Sequence, residues 1–466
     1  MTPGRIPTWS RRRLCQSALG ALGALALPWP LSATERNPRS GPARVRNRPN
    51  LEVALRAAEW IASWRMETEH GVAWPWNPEE APEKVDRSLY TGAPGVVLFL
   101  VELHDATADP AVLAELRAGA DELASWIPSE PDDTPMGLYT GLAGWAFVLE
   151  EVHRVTGDAR YRRAAQRAVE RLRDGAAAAG RGVEWNECTD IVFGSAGIGL
   201  TLLSFAERWR DAAALETAAA AGDRLIELGE PAEGGLSWFL APDSPRRMPN
   251  FSHGTAGVAY FLARLYEATR DDRFLDAALA GARYLQAVAD HEGGGCRVFH
   301  SEPGGRNLYY LSWCHGPAGT ARLFAQLHAV TGDDRWRDAV ACFARGILVS
   351  GVPEQRTPGF WNNVSQCCGD AGVGEFFLAL QHRTPRAEYV EMAKRAARSL
   401  LDRATADPAR GGLKWVQAEH RVRPEWTVPQ TGFMQGAAGI GTFFLHLDGL
   451  EQGRSPRVVW PDSPFR

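Results

Sequence analysis

Three cysteines in two short motifs carry the most reactive side chains of this sequence. The stretch "WCHGPAG" contains Cys314, and "CCGDAG" contains the adjacent pair Cys367 and Cys368. Thiolate sulfur is a ligand that zinc prefers, and three protein ligands on a tetrahedral ion leave one position open for a substrate. A disulfide between the adjacent cysteines, which is rare and strained, and a set of buried inert thiols are the two alternatives. The residue types and positions favour a zinc site with an open position.

Other polar residues occupy corresponding positions in neighbouring motifs. His315 follows Cys314 and is expected either to complete the metal ligands or to stand beside the metal. His253 lies in "SHGTAG", and Asp190 lies four residues before another motif glycine. Taken alone, such residues at a helix start often cap the helix or interact with its dipole. Their place in the series makes His253 and Asp190 candidates for acid–base catalysis.

An internal repeat positions these residues. It consists of a glycine, two small residues, a second glycine and an apolar run, and its copies are about fifty to seventy residues apart. Each apolar run has helical spacing over a wide arc, which predicts a buried helix, and more charged helices such as 160–175 alternate with these runs. The first glycines of the seven copies are at positions 92, 141, 194, 254, 316, 369 and 436.

Alternating buried and charged helices predict an all-α fold, an α/α toroid of seven helical hairpins with an inner ring inside an outer ring. Turns such as "VTGDARY" (155–161) combine a helix stop with an N-cap. Parallel inner helices would gather the residues before each glycine motif at one end of the ring. Short strand-like segments, including "GVEW" (182–185), "GFW" (359–361) and "GLKW" (412–415), are expected over that end. An open superhelical solenoid is the alternative.

Composition and the N-terminal residues narrow the class of protein further. The 466 residues carry a formal net charge of −5, which gives no reason to expect a nucleic acid partner. The stretch "SRRRLCQSALGALGALALPWPLSA" is typical of an export signal and resembles a twin-arginine signal, a Sec signal or basic anchor being the alternative. No later stretch predicts membrane insertion. We therefore expect a periplasmic or extracellular protein with a signal (1–33), a linker (34–50), the toroid (51–450) and a C-terminal tail (451–466).

The four remaining cysteines have less informative surroundings. Cys15 lies in the predicted signal, which leaves six cysteines, an even number that permits disulfides in an exported protein. Cys342 lies in the middle of a predicted helix and is expected to be a core residue. Cys188 and Cys296 are either free or paired, and the sequence does not decide between these states.

The glycine repeats, together with "SHGTAG", "WCHGPAG" and "CCGDAG" in this order, resemble the lanthionine synthetase C-like family of zinc-dependent peptide cyclases. The resemblance covers about residues 51–450 and implies the same seven-repeat toroid. It implies that Cys314, Cys367 and Cys368 hold Zn²⁺, with Cys368 in place of the family's usual histidine, as in a three-thiolate subgroup. It also implies that His253 is the acid–base residue. The segment "TDIVFG" resembles the family's aspartate motif, which assigns a supporting role to Asp190.

The reaction implied by the resemblance is a Michael-type addition. A substrate cysteine, bound as thiolate at the open zinc position, adds to dehydroalanine or dehydrobutyrine and forms a lanthionine-type thioether. His253 protonates or stabilises the enolate with help from Asp190, and the partner is a peptide or a small thiol. One alternative is a zinc-dependent binding protein that captures thiols such as glutathione without turnover. Another is a glycoside hydrolase, which would need two convergent carboxylates such as Asp190 and Asp370.

Overall fold

The computed structural model describes residues 48–129 and 134–465, and within these ranges the chain forms fourteen α-helices with a few short strands. The inner helices are α2 (Ala93–Thr107), α4 (Leu142–Thr156), α6 (Ser195–Trp209), α8 (Thr255–Thr269), α10 (Pro317–Thr331), α12 (Asp370–Arg383) and α14 (Ala437–Glu451). The outer helices are α1 (Pro49–Ala62), α3 (Pro110–Ser129), α5 (Ala159–Asp174), α7 (Ala212–Glu227), α9 (Asp272–Val288), α11 (Asp334–Leu348) and α13 (Ala387–Asp402).

The two rings differ in how much of each helix is buried. Each inner helix begins directly after the first glycine of a repeat copy, and α8 buries every residue from Thr255 to Leu265. The outer helix α5 buries only one face, which includes Tyr161, Ala168 and Leu172. This alternation confirms the predicted pattern. In the part of the chain that the structure describes, no helix combines the length and the apolar character that crossing a membrane requires.

The inner helices form a closed ring. Each packs against its two inner neighbours, and α14 packs against α2. Six hairpins join consecutive helices, but the seventh pairs α14 with α1, the first helix of the described chain. The Arg48 guanidinium joins these two helices because its Nε donates to Asp448 Oδ1 at 2.9 Å. The α/α toroid is therefore confirmed, the open solenoid is wrong, and the last hairpin is made from both ends of the repeat array.

Turns between inner and outer helices follow the predicted stop-and-cap pattern. Gly157 ends α4 with a φ of 67°, a conformation that glycine adopts without a steric penalty. Asp158 then caps α5, where its side chain accepts a hydrogen bond from the backbone N–H of Arg160. The same pairing recurs at Gly332 and Asp333 between α10 and α11. Each inner helix is thereby followed at once by an outer helix that runs back.

Short antiparallel strands lie between the end of an outer helix and the start of the next inner helix. The predicted strand-like segments at 182–185 and 412–415 contain strands, whereas 359–361 contributes only an isolated bridge between Thr357 and Phe360. The pairs are β1 (Met66–Glu67) with β2 (Val72–Ala73), β3 (Ala177–Ala179) with β4 (Gly182–Glu184), and β5 (Glu230–Ala232) with β6 (Gly235–Ser237). A three-stranded sheet contains β7 (Ala404–Ala406), β8 (Leu413–Ala418) and β9 (Thr427–Pro429).

The two ends of the chain differ in what the structure describes. The predicted export signal and residues 34–47 of the predicted linker lie outside the described residues, and α1 begins at Pro49. At the other end, the tail packs onto the inner ring. The Trp460 ring stacks on Tyr139, and the Tyr139 hydroxyl donates to Asp462 Oδ2 at 3.0 Å. Arg322 of α10 forms an ion pair with the same aspartate at 3.3 Å, so the tail is held by buried polar contacts.

Candidate metal centre and acid–base site

The residues just before the glycine motifs form a closed belt of backbone hydrogen bonds at one end of the inner ring. Cys314 donates its N–H to the carbonyl of Cys367 at 3.0 Å, so these two cysteines are neighbours in the belt. In the same way, Cys367 donates its backbone N–H to the carbonyl of Met434, Met434 to Tyr90, Tyr90 to Tyr139, and Tyr139 to Val192. The belt continues from the neighbouring Ile191, which donates to Ser252, and Ser252 donates to Cys314. Every repeat thus contributes to the same belt, the third through two adjacent residues and each of the others through one.

The second glycine of each motif allows this belt to lie against the helix that follows. A Cβ atom on Gly372 would lie 2.0 Å from the carbonyl oxygen of Gln366, a distance that real Cβ atoms do not show. The loop with Cys367 and Cys368 therefore rests directly on the first turn of α12. Since the positive end of a helix dipole stabilises nearby negative charge, this placement favours thiolates.

Three cysteine sulfurs converge in this belt, and we call Cys314, Cys367 and Cys368 the sulfur group. Cys314 Sγ lies 3.1 Å from Cys368 Sγ, which lies 3.2 Å from Cys367 Sγ. All three side chains are buried and free, so the adjacent pair is not joined by a disulfide.

The sulfur group fits zinc in both donor type and spacing. A zinc ion with Zn–S bonds of about 2.3 Å separates its tetrahedral ligands by about 3.8 Å, which a small outward movement of these sulfurs would reach. The three sulfur atoms all lie within 4.8 Å of one another. The fold therefore brings together the three residues that the sequence predicted as metal ligands. A tetrahedral ion held by them would keep one position for another ligand.

Hydrogen bonds favour a thiolate at one member of the sulfur group. Burial opposes ionisation, but hydrogen bonds from Cys314, Cys368 and Tyr90 lower the pKa of the Cys367 thiol well below its usual range. The Tyr90 hydroxyl donates to Cys367 Sγ at 2.8 Å. Burial raises the pKa of Cys314, and hydrogen bonds within the group raise that of Cys368. The group therefore favours one negative charge, which would attract a divalent cation.

Tyr90 contacts the sulfur group, and reasoning from the sequence assigned it no role. The Gln435 side-chain amide donates to Tyr90 Oη at 3.0 Å, and the Asn363 amide donates to Gln435 Oε1 at 3.1 Å. Tyrosine and glutamine are poor zinc ligands, so their positions before the first and seventh glycine motifs suggested no role. The available signal was positional, because Tyr90 stands two residues before its glycine as Cys314 and Cys367 do, and Gln435 directly precedes its glycine as Cys368 does.

His253 and Asp190 form the predicted pair. His253 Nδ1 lies 2.6 Å from Asp190 Oδ2, and the aspartate is fully buried. The other carboxylate oxygen accepts the backbone N–H of Phe193 at 3.0 Å, and the Phe193 ring stacks on the imidazole. A carboxylate on Nδ1 fixes the orientation of the ring and leaves Nε2 to act on another group. The arrangement is suited to proton transfer at Nε2.

His315 stands beside the sulfur group and is not one of the converging ligand atoms. Its ring centroid lies 5.5 Å from that of His253, and it stacks on His300 at 4.4 Å. Burial lowers the pKa of His315 well below its usual range, which makes it a neutral imidazole. It is therefore a neutral neighbour of both His253 and His300 at the edge of the sulfur group.

Asp370 does not form a carboxylate pair with Asp190. The Arg356 guanidinium contacts both oxygens of Asp370, at 3.0 and 2.9 Å, and Asp370 is fully buried at the start of α12. Asp190 is held by His253 instead. Each carboxylate thus has its own partner, and these two residues do not provide the convergent pair that glycoside hydrolysis needs.

Cys296 and Cys342 form a disulfide, which we call the disulfide site. It joins the loop after α9 to α11, with 5.0 Å between the two Cα atoms. The expectation that Cys342 is simply a core residue is therefore wrong, because its partner comes from a loop whose position the sequence pattern does not reveal. Cys188 is free, and burial followed by the charges of Asp190 and Glu187 raises its pKa to about 12.

A toroid with a buried sulfur group at the N-terminal end of its inner helices defines the class of this protein, and comparison with known proteins gives the family. The family model described as "Lanthionine synthetase C-like protein" matches residues 83–460. The chain belongs to this lanthionine synthetase C-like family.

A solved structure illustrates the shared fold. The chain is similar to nisin cyclase, with a TM-score of 0.61 and 15% sequence identity over 86% of this chain and 95% of that chain. It also matches a glycoside hydrolase family 76 mannosidase from Bacteroides thetaiotaomicron VPI-5482, with a TM-score of 0.49 and 12% identity over 86% and 99% of the two chains. At 15% identity the similarity to nisin cyclase shows the fold, and the chemistry must be argued from the site.

Proposed function

We propose that this protein is a zinc-dependent cyclase that forms lanthionine-type thioethers. Its substrate would be a peptide with a cysteine thiol and a dehydroalanine or dehydrobutyrine residue. The observation that carries the proposal is the convergence of three buried cysteine sulfurs near a histidine held by a buried aspartate. Membership of the lanthionine synthetase C-like family supports a cyclase-type protein.

The sulfur group supplies the ligands, and its neighbours tune their charge. Cys314, Cys367 and Cys368 fit a zinc ion, whose chemistry when bound is to keep an incoming thiol as a reactive thiolate. Tyr90 stabilises negative charge on Cys367 through its hydroxyl. His315 and the buried surroundings of the sulfurs limit the access of water, which strengthens electrostatic interactions within the site.

His253 has the geometry of the proton donor. Addition of sulfur to the β-carbon places negative charge on the neighbouring α-carbon and carbonyl oxygen, and the α-carbon must then receive a proton. Asp190 occupies Nδ1 of His253 at 2.6 Å, which leaves Nε2 as the nitrogen that would act on the reacting group. The same carboxylate stabilises the positive charge that the imidazole carries before it gives up its proton.

The test uses the purified chain with a dehydrated peptide that contains one cysteine. We expect about one zinc per chain by metal analysis, and a product of unchanged mass in which the cysteine no longer reacts with an alkylating agent. His253→Ala should retain zinc and lose the reaction. If the zinc-loaded wild type binds the peptide but leaves its thiol free to alkylate, the protein is the non-catalytic thiol binder and the cyclase proposal is wrong.

We also propose that the mature chain works outside the cytoplasm. The basic and then apolar N-terminal stretch supports export, and disulfides such as Cys296–Cys342 persist mainly in oxidising compartments. Cell fractionation tests the location, and mass analysis of the alkylated chain before and after reduction tests the disulfide. Recovery of the unprocessed, fully reduced chain from the cytoplasm would contradict this proposal.

A further inference from the structure

We propose that a cleft beside the sulfur group binds the carboxylate of a thiol substrate, and that Arg421 is the residue that recognises it. This inference rests on the proposed function, because it specifies which kind of thiol reaches the sulfur group. It adds a specificity-determining residue from the loop between β8 and β9, outside all the glycine motifs.

The cleft has a volume of about 860 Å³ and is lined by residues 302–308 and by Arg421. The lining loop is attached to the wall of the candidate site, because His300 donates its backbone N–H to the carbonyl of Leu308 at 2.7 Å. The His300 ring in turn stacks on His315 at 4.4 Å, and His315 follows Cys314 in the chain. The cleft therefore adjoins the side of the site where the sulfur group lies.

Arg421 differs from the other arginine in the cleft, Arg306. The Arg306 guanidinium is paired with Glu302 at 2.5 Å. Among the ion pairs of the described ranges none includes Arg421, and its Nε is buried without a hydrogen-bond partner there. A buried N–H without an acceptor is costly, and a carboxylate is the acceptor that matches two parallel guanidinium N–H groups. The Arg421 guanidinium can thus bind an anionic ligand, whereas the Arg306 guanidinium is already paired with the Glu302 carboxylate.

Tyr310 links Arg421 to the sulfur group. The guanidinium interacts with the Tyr310 hydroxyl, and the tyrosine ring meets His315 edge-on with 5.3 Å between centroids. Burial raises the pKa of the phenol, and the nearby thiols of Cys368 and Cys314 raise it further. Tyr310 and His315 thus connect the Arg421 guanidinium to the motif that contains Cys314. The proposed ligand is therefore a thiol whose carboxylate belongs to the same or the next residue.

The remaining charges around the cleft leave an anion as the preferred ligand. Glu302 is neutralised by Arg306 and lies 4.0 Å from the Arg247 guanidinium. Burial, together with the positive charges of Arg421, Arg246 and His253, lowers the pKa of His300 to about 4, so this imidazole is neutral at pH 7. The ligand class is therefore a mercaptocarboxylate, either a small thiol acid or a peptide that ends in cysteine.

The test compares two thiols that differ only in the carboxylate, N-acetylcysteine and N-acetylcysteine amide. The chain is loaded with Co²⁺ in place of zinc, so that a thiol reaching the metal changes the visible spectrum and gives a dissociation constant without turnover. We expect wild type to prefer the acid by about tenfold or more, as a charge-assisted pair allows. Arg421→Gln should abolish this preference, Arg421→Lys should keep part of it, and the matched control Arg306→Gln should keep it all.

A second pair, a peptide ending in cysteine and the same peptide with a C-terminal amide, identifies the source of the carboxylate. A larger preference in this pair than in the small-thiol pair indicates a peptide, and the reverse indicates a small thiol acid. Equal binding of acid and amide by wild type in both pairs overturns the inference, as does an unchanged preference in Arg421→Gln. If no thiol alters the spectrum of the Co²⁺-loaded chain, the proposed function fails together with the inference. If thiols alter the spectrum but the acid is not preferred, only the inference fails.

Discussion

The sulfur group and the disulfide site both bring cysteines close to a histidine, yet the two regions use sulfur differently. In the disulfide site the sulfurs are covalently joined, and His291 Nδ1 lies 3.5 Å from Cys296 Sγ. In the sulfur group all three thiols remain free with sulfur distances of 3.1 and 3.2 Å. Proximity of sulfur atoms alone therefore does not determine what cysteines do in this fold.

The hydrogen-bond surroundings of the two regions explain the difference. In the sulfur group, Tyr90 donates a hydrogen bond to Cys367, and the sulfurs lie at the starts of two inner helices. Such surroundings stabilise thiolates and suit a cation. The disulfide site instead connects a loop to an outer helix, where a covalent bond restricts the unfolded chain. One region is organised for ligand binding and the other for stability.

The largest expected effect comes from Cys367→Ala. We expect zinc affinity and thioether formation to fall by more than about 100-fold, because a ligand and the thiolate favoured by Tyr90 are both lost. Metal analysis after dialysis against a chelator measures the change, and Cys188→Ser is the matched control. A Cys367→Ala variant that keeps one zinc per chain would contradict the contrast between the two regions, because the sulfur group would then not be the metal site.

The two histidines provide the next test. His253→Ala should lower the rate of thioether formation by about 10²–10⁴-fold at unchanged zinc content, because proton delivery is lost while the sulfurs stay in place. His291→Ala, beside the disulfide site, should change neither quantity. Steady-state rates with matched metal analysis measure both variants. Similar rates for the two variants would remove His253 from the mechanism.

Removal of the disulfide should affect stability and spare the metal. The double change Cys296→Ser and Cys342→Ser opens a loop with a sequence separation of 46 residues. The chain-entropy model predicts a loss of about 4 kcal/mol in the free energy of unfolding for a loop of this length. Denaturant unfolding and metal analysis give the two quantities. Loss of zinc in the folded double variant would show that the two regions are not independent.

The smallest effect is expected for Tyr90→Phe. Removing the hydroxyl takes one hydrogen bond from Cys367, and changes to groups that support a metal ligand typically lower metal affinity by about 10–100-fold. Competition with a coloured chelator measures the affinity, and the sulfur-to-metal absorption of the Co²⁺-loaded chain reports the altered ligand. Tyr161→Phe is the control, because its hydroxyl binds Asp121 on the outer ring. Equal affinity in the two variants would contradict a role for Tyr90.

Local sequence patterns were sufficient for the inner ring and for the residues that it presents. Each predicted buried helix begins directly after its first glycine, since the apolar run has helical spacing and the glycine precedes the first turn. Cys314 and Cys367 could be placed together because each stands two residues before the first glycine of its repeat, and His253 could be placed near them because it directly precedes the first glycine of a neighbouring repeat. Residues near the first glycines of successive repeats are far apart in the chain but lie close together in the folded ring.

Contacts outside the repeat were not predictable from such patterns. Tyr90 and Cys367 are 277 residues apart, and neither residue type marks the hydrogen bond between them. The Cys296–Cys342 bond depends on the path of an irregular loop. Trp460 lies in a tail without helical periodicity, yet it stacks on Tyr139. These pairings follow from the three-dimensional path of the chain, which no single segment encodes.

The hairpin formed by α1 and α14 has a consequence for biogenesis. During translation α1 leaves the ribosome long before its packing partner has been made, so its apolar face must wait for the final repeat. Tyr90 and Met434 meet at this same seam, and Met434 in turn accepts the backbone N–H of Cys367. We therefore expect the sulfur group to reach its full affinity for an ion only after the ring has closed. Retained metal would then distinguish completely folded chains from incomplete ones.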